Sequence, residues 1–462
     1  MLAAGLLRIT KYTSSLLIIV RLLAAPTFSY AQEAQTSASQ DDTEHGREAP
    51  QSPSPTQQTQ NAQQAPSNPN LVDTEEAGES DQPVIPRRFV HWNEYEGRYF
   101  TIRAGAGLLY EFSAYAQDEQ SKQQFALDPD SKVRDFRFLL RGRFPQFKRP
   151  VTWSAGIMYD GVTNSWLIRE TGVMIGFPKL KGYLFVGRTK LGFSLNKVMV
   201  GYAGWTLERF TMNDATVPIL GDGVKWLGYS EKHGLLWNIG YYNDFLSKNQ
   251  SFNLYHNQAV ARFAWLPIHS EEKDEILHLG VDFLYGTSEG GQLRLRSRPE
   301  AFPAPYFIDT GTFTASASRM LGYEAYYRRR SLLFGSEYWF DRVTSNSGGN
   351  PVFRGGDVVA TWIVTGESRA YNTVGGYFTA VSPANPVFNG GLGAWEIVGR
   401  YSNTDLNGGT ISGGKFWRFT PGVNWYLSKS ARLSIEYGYG QLQRFNLNGR
   451  TQFFQSRLQL QL

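Results

Sequence analysis

Three arginines, Arg137, Arg141 and Arg143, share one parity in a stretch whose other parity holds Phe136, Phe138, Leu140 and Phe144. In an extended chain that spacing puts the guanidiniums on one face and the aromatic rings on the other. If the greasy face meets hydrocarbon, the arginines must not. One on a lipid face near the bilayer midplane costs roughly 2–4 kcal/mol, so three would cost about 6–12 kcal/mol, comparable with the stability of a whole domain. A second set, Arg294, Arg296 and Arg298, alternates with Leu293 and Leu295, and the same parity logic turns Arg262, Arg400 and Arg418 inward. Stacked guanidiniums along a water-filled path would lower the energy of an anion and match phosphate oxygens two at a time. Glu324, Glu396, Glu436 and Asp282 also point inward by parity, so each single arginine can equally serve as the partner of a carboxylate across the lumen.

The chemistry of catalysis is not laid out in this way. The chain has no cysteine, hence no thiol nucleophile, thiolate metal site or disulfide. Its six histidines lack metal-ligand spacing, and Gly286-Thr287-Ser288-Glu289-Gly290 resembles a nucleophile elbow only in its glycines. No phosphate-cradling glycine loop and no plug ahead of the strands provides an energy source. The expectation is a protein that is not an enzyme and needs no cofactor.

The elements that must hold the arginines are strands. Val151–Asp160 alternates Val151, Trp153, Ala155, Ile157 and Tyr159 against Thr152, Ser154, Gly156, Met158 and Asp160. Leu277, Leu279, Val281, Phe283 and Tyr285 repeat the pattern, as do Leu235, Trp237, Ile239 and Tyr241, and then Trp417, Phe419, Val423 and Trp425. Tyr and Trp recur at the ends of the apolar faces, as in interfacial girdles, and strands of about ten residues suit a tilted membrane crossing. The chain closes on Leu458, Leu460 and Leu462 alternating with Arg457, Gln459 and Gln461, the form of a terminal barrel strand. A soluble propeller or lectin also alternates, but blade-length repeats are absent and the outer faces are too apolar for water. Eighteen candidate strand starts, Gln292 and Tyr306 among them, exceed sixteen by two. The predicted fold is all-β, a transmembrane antiparallel β-barrel of 16 strands or else 18, 16 being preferred.

The ends of the chain and its charge give an address. Arg8 and Lys11 precede an apolar stretch and Ser29-Tyr30-Ala31 offers a cleavage site, so residues 1–31 read as a signal peptide. Residues 32–87 form a Gln/Pro/Ser-rich acidic linker too poor in large apolar side chains to fold. The barrel occupies 88–462. From residue 83 onward 42 basic side chains face 31 acidic ones, a surplus that favours small anions such as phosphate, polyphosphate and chloride. Nucleic acid is not an expected partner, because the charge points into a lumen; outer-membrane lipid surrounds the barrel. A long segment of about thirty residues beyond Lys190 is expected to fold inward as a constriction loop, placing Arg188, Lys190, Lys197 and Arg209 at the narrowing. The alternative is a general or sugar-selective porin, with Tyr326 and Tyr242 lining a sugar slide.

Ordered motifs add a resemblance. They are Trp226-Leu227-Gly228-Tyr229-Ser230, Leu235-Leu236-Trp237, Gly240-Tyr241-Tyr242-Asn243-Asp244, Arg298-Pro299-Glu300, Asp309-Thr310-Gly311 and Thr365-Gly366-Glu367-Ser368-Arg369-Ala370-Tyr371. With them stand Gly393-Ala394-Trp395-Glu396-Ile397-Val398-Gly399-Arg400-Tyr401-Ser402 and Gly422-Val423-Asn424-Trp425-Tyr426. Together, over roughly 88–462, they resemble the phosphate-selective porins of the O and P type. The resemblance implies a homotrimeric, 16-stranded bacterial outer-membrane channel with an inward third loop and an arginine-lined path for phosphate or polyphosphate. It implies that Arg137, Arg141 and Arg143 form the basic early strand and that Arg188 and Lys190 stand where the constriction loop begins.

Overall fold

The structure is a computed structural model of the 462-residue chain, and it describes residues 88–161, 164–246 and 254–462. The signal peptide and linker read from the sequence lie outside the described residues. Sixteen strands follow one another: β1 (Thr101–Gln117), β2 (Asp130–Arg143), β3 (Val151–Asp160), β4 in two pieces (Ser165–Ile168 and Thr171–Phe177), β5 (Gly182–Thr189), β6 (Gly221–Ser230), β7 (Leu235–Asn243) and β8 (Asn257–Ser270). Then come β9 (Glu275–Thr287), β10 (Ala317–Arg329), β11 (Leu332–Thr344), β12 (Val352–Ile363), β13 (Ala394–Gly408), β14 (Ile411–Tyr426), β15 (Ala431–Arg444) and β16 (Leu447–Gln461). Each pairs antiparallel with the next, and β16 returns to β1 from Thr451↔Gln117 to Gln461↔Gly107, so the sheet closes. Closure leaves no unpaired edge, which is the condition for a sheet to cross hydrocarbon. A short hairpin, Arg88–His91 with Glu94–Glu96, precedes β1 and pairs with its start.

The parity read from the sequence holds around the wall. On β2, Phe138 is 44% exposed and Arg137 5%. Ile157, Phe283, Ile239 and Phe419 face outward, while Asp282, Glu324, Glu396 and Glu436 are buried inside. Pro267, which cannot donate to a ladder, stands where the β8–β9 register slips between Trp265 and Ile268.

Sixteen, not eighteen, is the number because the segments at Gln292 and Tyr306 are not wall. They lie in the connection 288–316, whose two-residue strands Gln292–Leu293, Arg296–Ser297, Ile308–Asp309 and Phe313–Thr314 pair only with one another. Arg294, Arg296 and Arg298 are therefore loop residues, a correction to their expected place on a lumen-facing strand. Two-residue pairing mimics alternation locally, and the period alone does not report how far a strand runs.

One end of the barrel carries tight turns, such as 231–234, 271–274 and 330–331, and the other carries the long connections 190–220 and 288–316. By the habit of outer-membrane barrels the long-loop end faces outward. The connection 364–393 is the exception, a long segment at the tight-turn end.

Candidate anion passage

Segment 190–220 supplies much of the material inside the site. It holds two short helices, α1 (Leu195–Val198) and α2 (Thr211–Thr216), and nearly every residue of it is buried. The wall grips it on many sides. Ser194 Oγ and the Asn196 amide donate to Glu337 of β11 at 2.5 and 2.8 Å. The Leu207 amide donates to Glu436 of β15 at 2.7 Å. Its carbonyls accept from Asn424 Nδ2 at Trp205 (2.8 Å), Arg432 at Gly204 (2.7 Å) and Gln459 at Tyr202 (3.1 Å). Irregular backbone away from bulk water needs such partners for every N–H and C=O it exposes.

Its apolar side chains complete the packing. Leu191, Phe193, Phe210, Met212 and Val217 join Leu295, Phe307 and Phe313 of 288–316 and Trp339, Phe353 and Phe416 of the wall in one cluster. Leu195, Val198, Met199 and Trp205 join Tyr377 and Phe378 of 364–393 in another. Tyr242 and Tyr326 are fully buried within these clusters, so neither presents a face along which a sugar could slide.

Against β1–β4 and β16 the packing stops short. A cavity with about 70 Å³ of water-accessible space remains between the segment and that wall. Its charged lining is Arg134, Arg137, Arg169, Lys190, Arg209 and Arg457, with only Asp135 and Glu208 of opposite sign. Arg137 bonds Asp135 through Nε at 2.9 Å, and its guanidinium lies 4.7 Å from the Tyr202 ring centroid, a cation–π contact. Gly107 makes this possible, since a Cβ there would collide with the Tyr202 hydroxyl. Lys190 Nζ donates to the carbonyls of Val198 and Met199, each at 3.0 Å, and Arg209 donates to those of Asn196 at 2.6 Å and Met199 at 2.9 Å. Glu208 is held by Arg134 at 2.7 Å and by Arg457, which also grips Glu111. Burial raises the Glu208 carboxyl, but Arg134 and Arg457 outweigh it and bring the pKa down to about 2.

Three of these cations carried no expectation as path residues, and two of them are set by broken register. Leu109 pairs with Asp135 and Tyr110 with Val133, so Arg134 is an extra residue in a β-bulge. Counting by twos puts Arg134 with Phe136 on the lipid face; the bulge turns it in with Asp135. Arg169 sits in the gap of β4: Ile157 pairs with Ile168 and Ser154 with Gly172, leaving two residues of β3 opposite three of β4. The Arg169 amide donates to Gly156 O at 2.8 Å, and Arg169 and Glu170 are both buried. Bulges re-aim side chains in this way. Arg457 has the inward parity of Gln459 and was legible in the terminal strand.

The other expected residues stand elsewhere. Arg262 donates to Glu324 at 2.7 Å and to the Gly375 and Gly376 carbonyls at 3.0 and 2.7 Å. Arg400 binds Glu300, and Thr206 Oγ1 at 2.6 Å; Arg418 binds the Pro299 and Glu300 carbonyls at 2.7 and 2.9 Å. Arg188 bonds Leu246 O at 2.9 Å. Lys197 lies behind the lining, on Asp214 at 3.1 Å, and burial pushes its pKa down to about 8 against that carboxylate. Arg294 pairs with Asp309 at 2.5 Å, Arg296 covers the Tyr306 ring at 4.2 Å and Arg298 stands over Phe302 and Tyr306. Arg141 and Arg143 lie toward the tight-turn end of β2, the latter 4.0 Å from Glu96.

A closed sixteen-stranded antiparallel barrel, apolar outside and charged inside, is a porin of the bacterial outer membrane. Residues 102–462 match the family described as phosphate-selective porin O and P, and the chain belongs to that family. The solved structures it resembles include the outer-membrane channel DcaP of Acinetobacter baumannii, at TM-score 0.51 and 9% identity, covering 79% of this chain and 98% of that one. OmpT of Vibrio cholerae in its trimer form gives TM-score 0.50 and 12% identity, over 79% of this chain and 100% of that one. An uncharacterized protein of Caulobacter vibrioides is 28% identical over 167 residues, which are 35% of this chain. The match spans about a third (33%) of that relative's length.

Proposed function

We propose that the barrel is a passive anion channel, with phosphate or polyphosphate as the favoured solute, and that it catalyses no reaction. The observation that carries this reading is the lining of the cavity, six cations to two carboxylates. The segment 190–220 is the constriction: it narrows the lumen to a passage along β1–β4 and β16, where guanidinium and ammonium donors replace the hydration shell of an entering anion. Arg134 and Arg169 stand at this narrowing with Arg137, Lys190, Arg209 and Arg457. Binding there must be weak enough for release, and the two carboxylates moderate it. Polyphosphate passes extended, one residue at a time. Three copies assemble as a trimer in the membrane, in keeping with the trimer form of the Vibrio cholerae OmpT it resembles. Residues 1–31 serve as the export signal and 32–87 as the linker ahead of the barrel.

Planar-bilayer recording tests the reading. In asymmetric KCl the reversal potential is expected to report anion preference, and low-millimolar phosphate is expected to reduce the chloride current. Cation preference would overturn the anion channel; an unchanged chloride current would remove phosphate as the favoured solute.

A further inference from the structure

The outer wall carries a second cationic feature that the passage does not use. At the long-loop end, Arg319 on β10, Arg342 on β11, Arg354 on β12, Lys415 on β14 and Arg450 on β16 all share the outward parity and are exposed. They form a belt across seven consecutive strands. Asp405 of β13 is the carboxylate within it, 3.7 Å from Arg354 and 3.1 Å from Lys415. Arg319 and Arg342 are register partners, directly opposite on neighbouring strands. Like charges so placed repel, and among the described residues neither has a carboxylate partner. Arg319 instead donates to Thr344 Oγ1 at 2.7 Å and lies 5.5 Å from the Tyr285 ring.

Nearer the middle of the wall come exposed rings, Phe340 two residues from Arg342, Tyr323 four from Arg319 and Tyr401 four from Asp405, with Trp417 stacked on Tyr401 at 6.1 Å, while Tyr285 stands level with Arg319 as its register partner. Aromatic rings of this kind mark the boundary between hydrocarbon and headgroups. The belt therefore sits at headgroup level on the side of the long loops, the outer leaflet.

We propose that this belt is a docking site for a phosphorylated glycolipid of the outer leaflet, whose anionic phosphates bridge Arg319 and Arg342 and extend toward Arg354 and Lys415. A guanidinium pair offers the forked donors that a phosphate takes. The acyl chains lie on the outward Phe340, Val358 and Tyr323 faces. The inference is independent of what passes through the lumen.

The test uses the purified full chain in neutral detergent with bisphosphorylated lipid A as probe, read by native mass spectrometry and by the shift in thermal unfolding. The native chain is expected to bind and be stabilised. Removing three charges in R319Q/R342Q/R354Q is expected to weaken binding about a hundredfold, roughly fivefold per cation, with channel conductance unchanged. Dephosphorylated lipid A and phosphatidylglycerol are expected to bind far more weakly. Equal binding by the triple variant or by dephosphorylated lipid A would overturn the proposal. So would equal binding of phosphatidylglycerol, which would make the belt a generic anionic-lipid surface, or equal stabilisation by inorganic phosphate, which would make it a solute-collecting rim. Dissociation of the native oligomer in the variant would assign the belt to contact between copies instead. If the triple variant does not fold, R342Q alone serves, since it removes no ion pair among the described residues.

Discussion

The wall of β1–β4 and β16 and the wall of β8–β15 are built from the same inward-facing arginines, yet they do different work. On the second wall, Arg262 and Arg400 meet carboxylates of their own and carbonyls of the inner segments, and Arg418 meets the carbonyls of Pro299 and Glu300. Most of their donors hold loops in place. On the first wall Arg134, Arg137, Arg169 and Arg457 meet carboxylates too, Glu208, Asp135, Glu170 and Glu111, but they also border open space whose lining holds six cations. Side-chain direction is set by parity, whereas function is set by what the inner segments bring opposite each side chain. An arginine is available to a solute only where the packing leaves open space beside it.

The largest expected effect comes from breaking the anchoring wall. Arg400→Met leaves Glu300 buried without its cation; removing one member of a buried pair costs about 3–5 kcal/mol. Unfolding in urea with tryptophan fluorescence is expected to show that loss, and protein that still folds is expected to keep its anion preference. If Arg400→Met instead shifts selectivity with little loss of stability, the division between the walls fails.

Next is the lining itself. Arg134→Gln and Arg169→Gln are each expected to weaken phosphate block of the chloride current by roughly 10–100-fold, the range of one charge-assisted hydrogen bond of about 1.5–3 kcal/mol. Arg134→Gln takes one of two cations from Glu208 and Arg169→Gln leaves Glu170 without its partner, so the midpoint of unfolding is expected to fall as well, and block is compared in protein that still folds. The same substitution at Arg262 provides the converse, a loss of stability with block retained.

How far the sequence foresaw this division can be argued residue by residue. The lipid-facing strands and their outward rings follow from a period of two, which a sheet between oil and water must obey, so Phe138 and Ile157 were legible, whereas the choice of sixteen over eighteen needed the pairing. Arg134 and Arg169 were not, because a single inserted residue inverts the count locally, and nothing in the composition around Val133 or Ile168 announces it. Arg294, Arg296 and Arg298 erred the other way: alternation in a loop reads like alternation in a wall. The partners of Arg262 come from Gly375 and Gly376, more than a hundred residues away, and no local pattern reaches that far.

Acid provides a smaller perturbation of the first wall. Glu208 has its pKa held down to about 2 from an ordinary 4.5. A depressed carboxylate contributes stability that is complete above the unfolded value and is lost as pH falls through the folded one. Stability is therefore expected to decline between pH 4.5 and 2, with Glu208→Gln abolishing that part of the decline. Equal slopes for the two proteins would mean that Arg134 and Arg457 do not hold the carboxylate.

The smallest expected change in current comes from Lys197, one layer behind the lining. Burial, opposed by Asp214, lowers its pKa to about 8 from 10.5. Between those values the unfolded chain binds more protons than the folded one, so stability is expected to rise with pH from 8 to 10.5. Over the same range the ammonium is lost from the fold. Were Lys197 part of the passage, anion preference would fall steeply across pH 8. Since Asp214 and the Asn213 carbonyl stand at its Nζ, 3.1 and 3.3 Å away, its charge is largely compensated before it reaches the solute. Selectivity measured at pH 7 and pH 9.5 is expected to differ by less than about a factor of two. A steep fall, abolished by Lys197→Met, would move this residue into the path and extend the conducting wall inward along the loop.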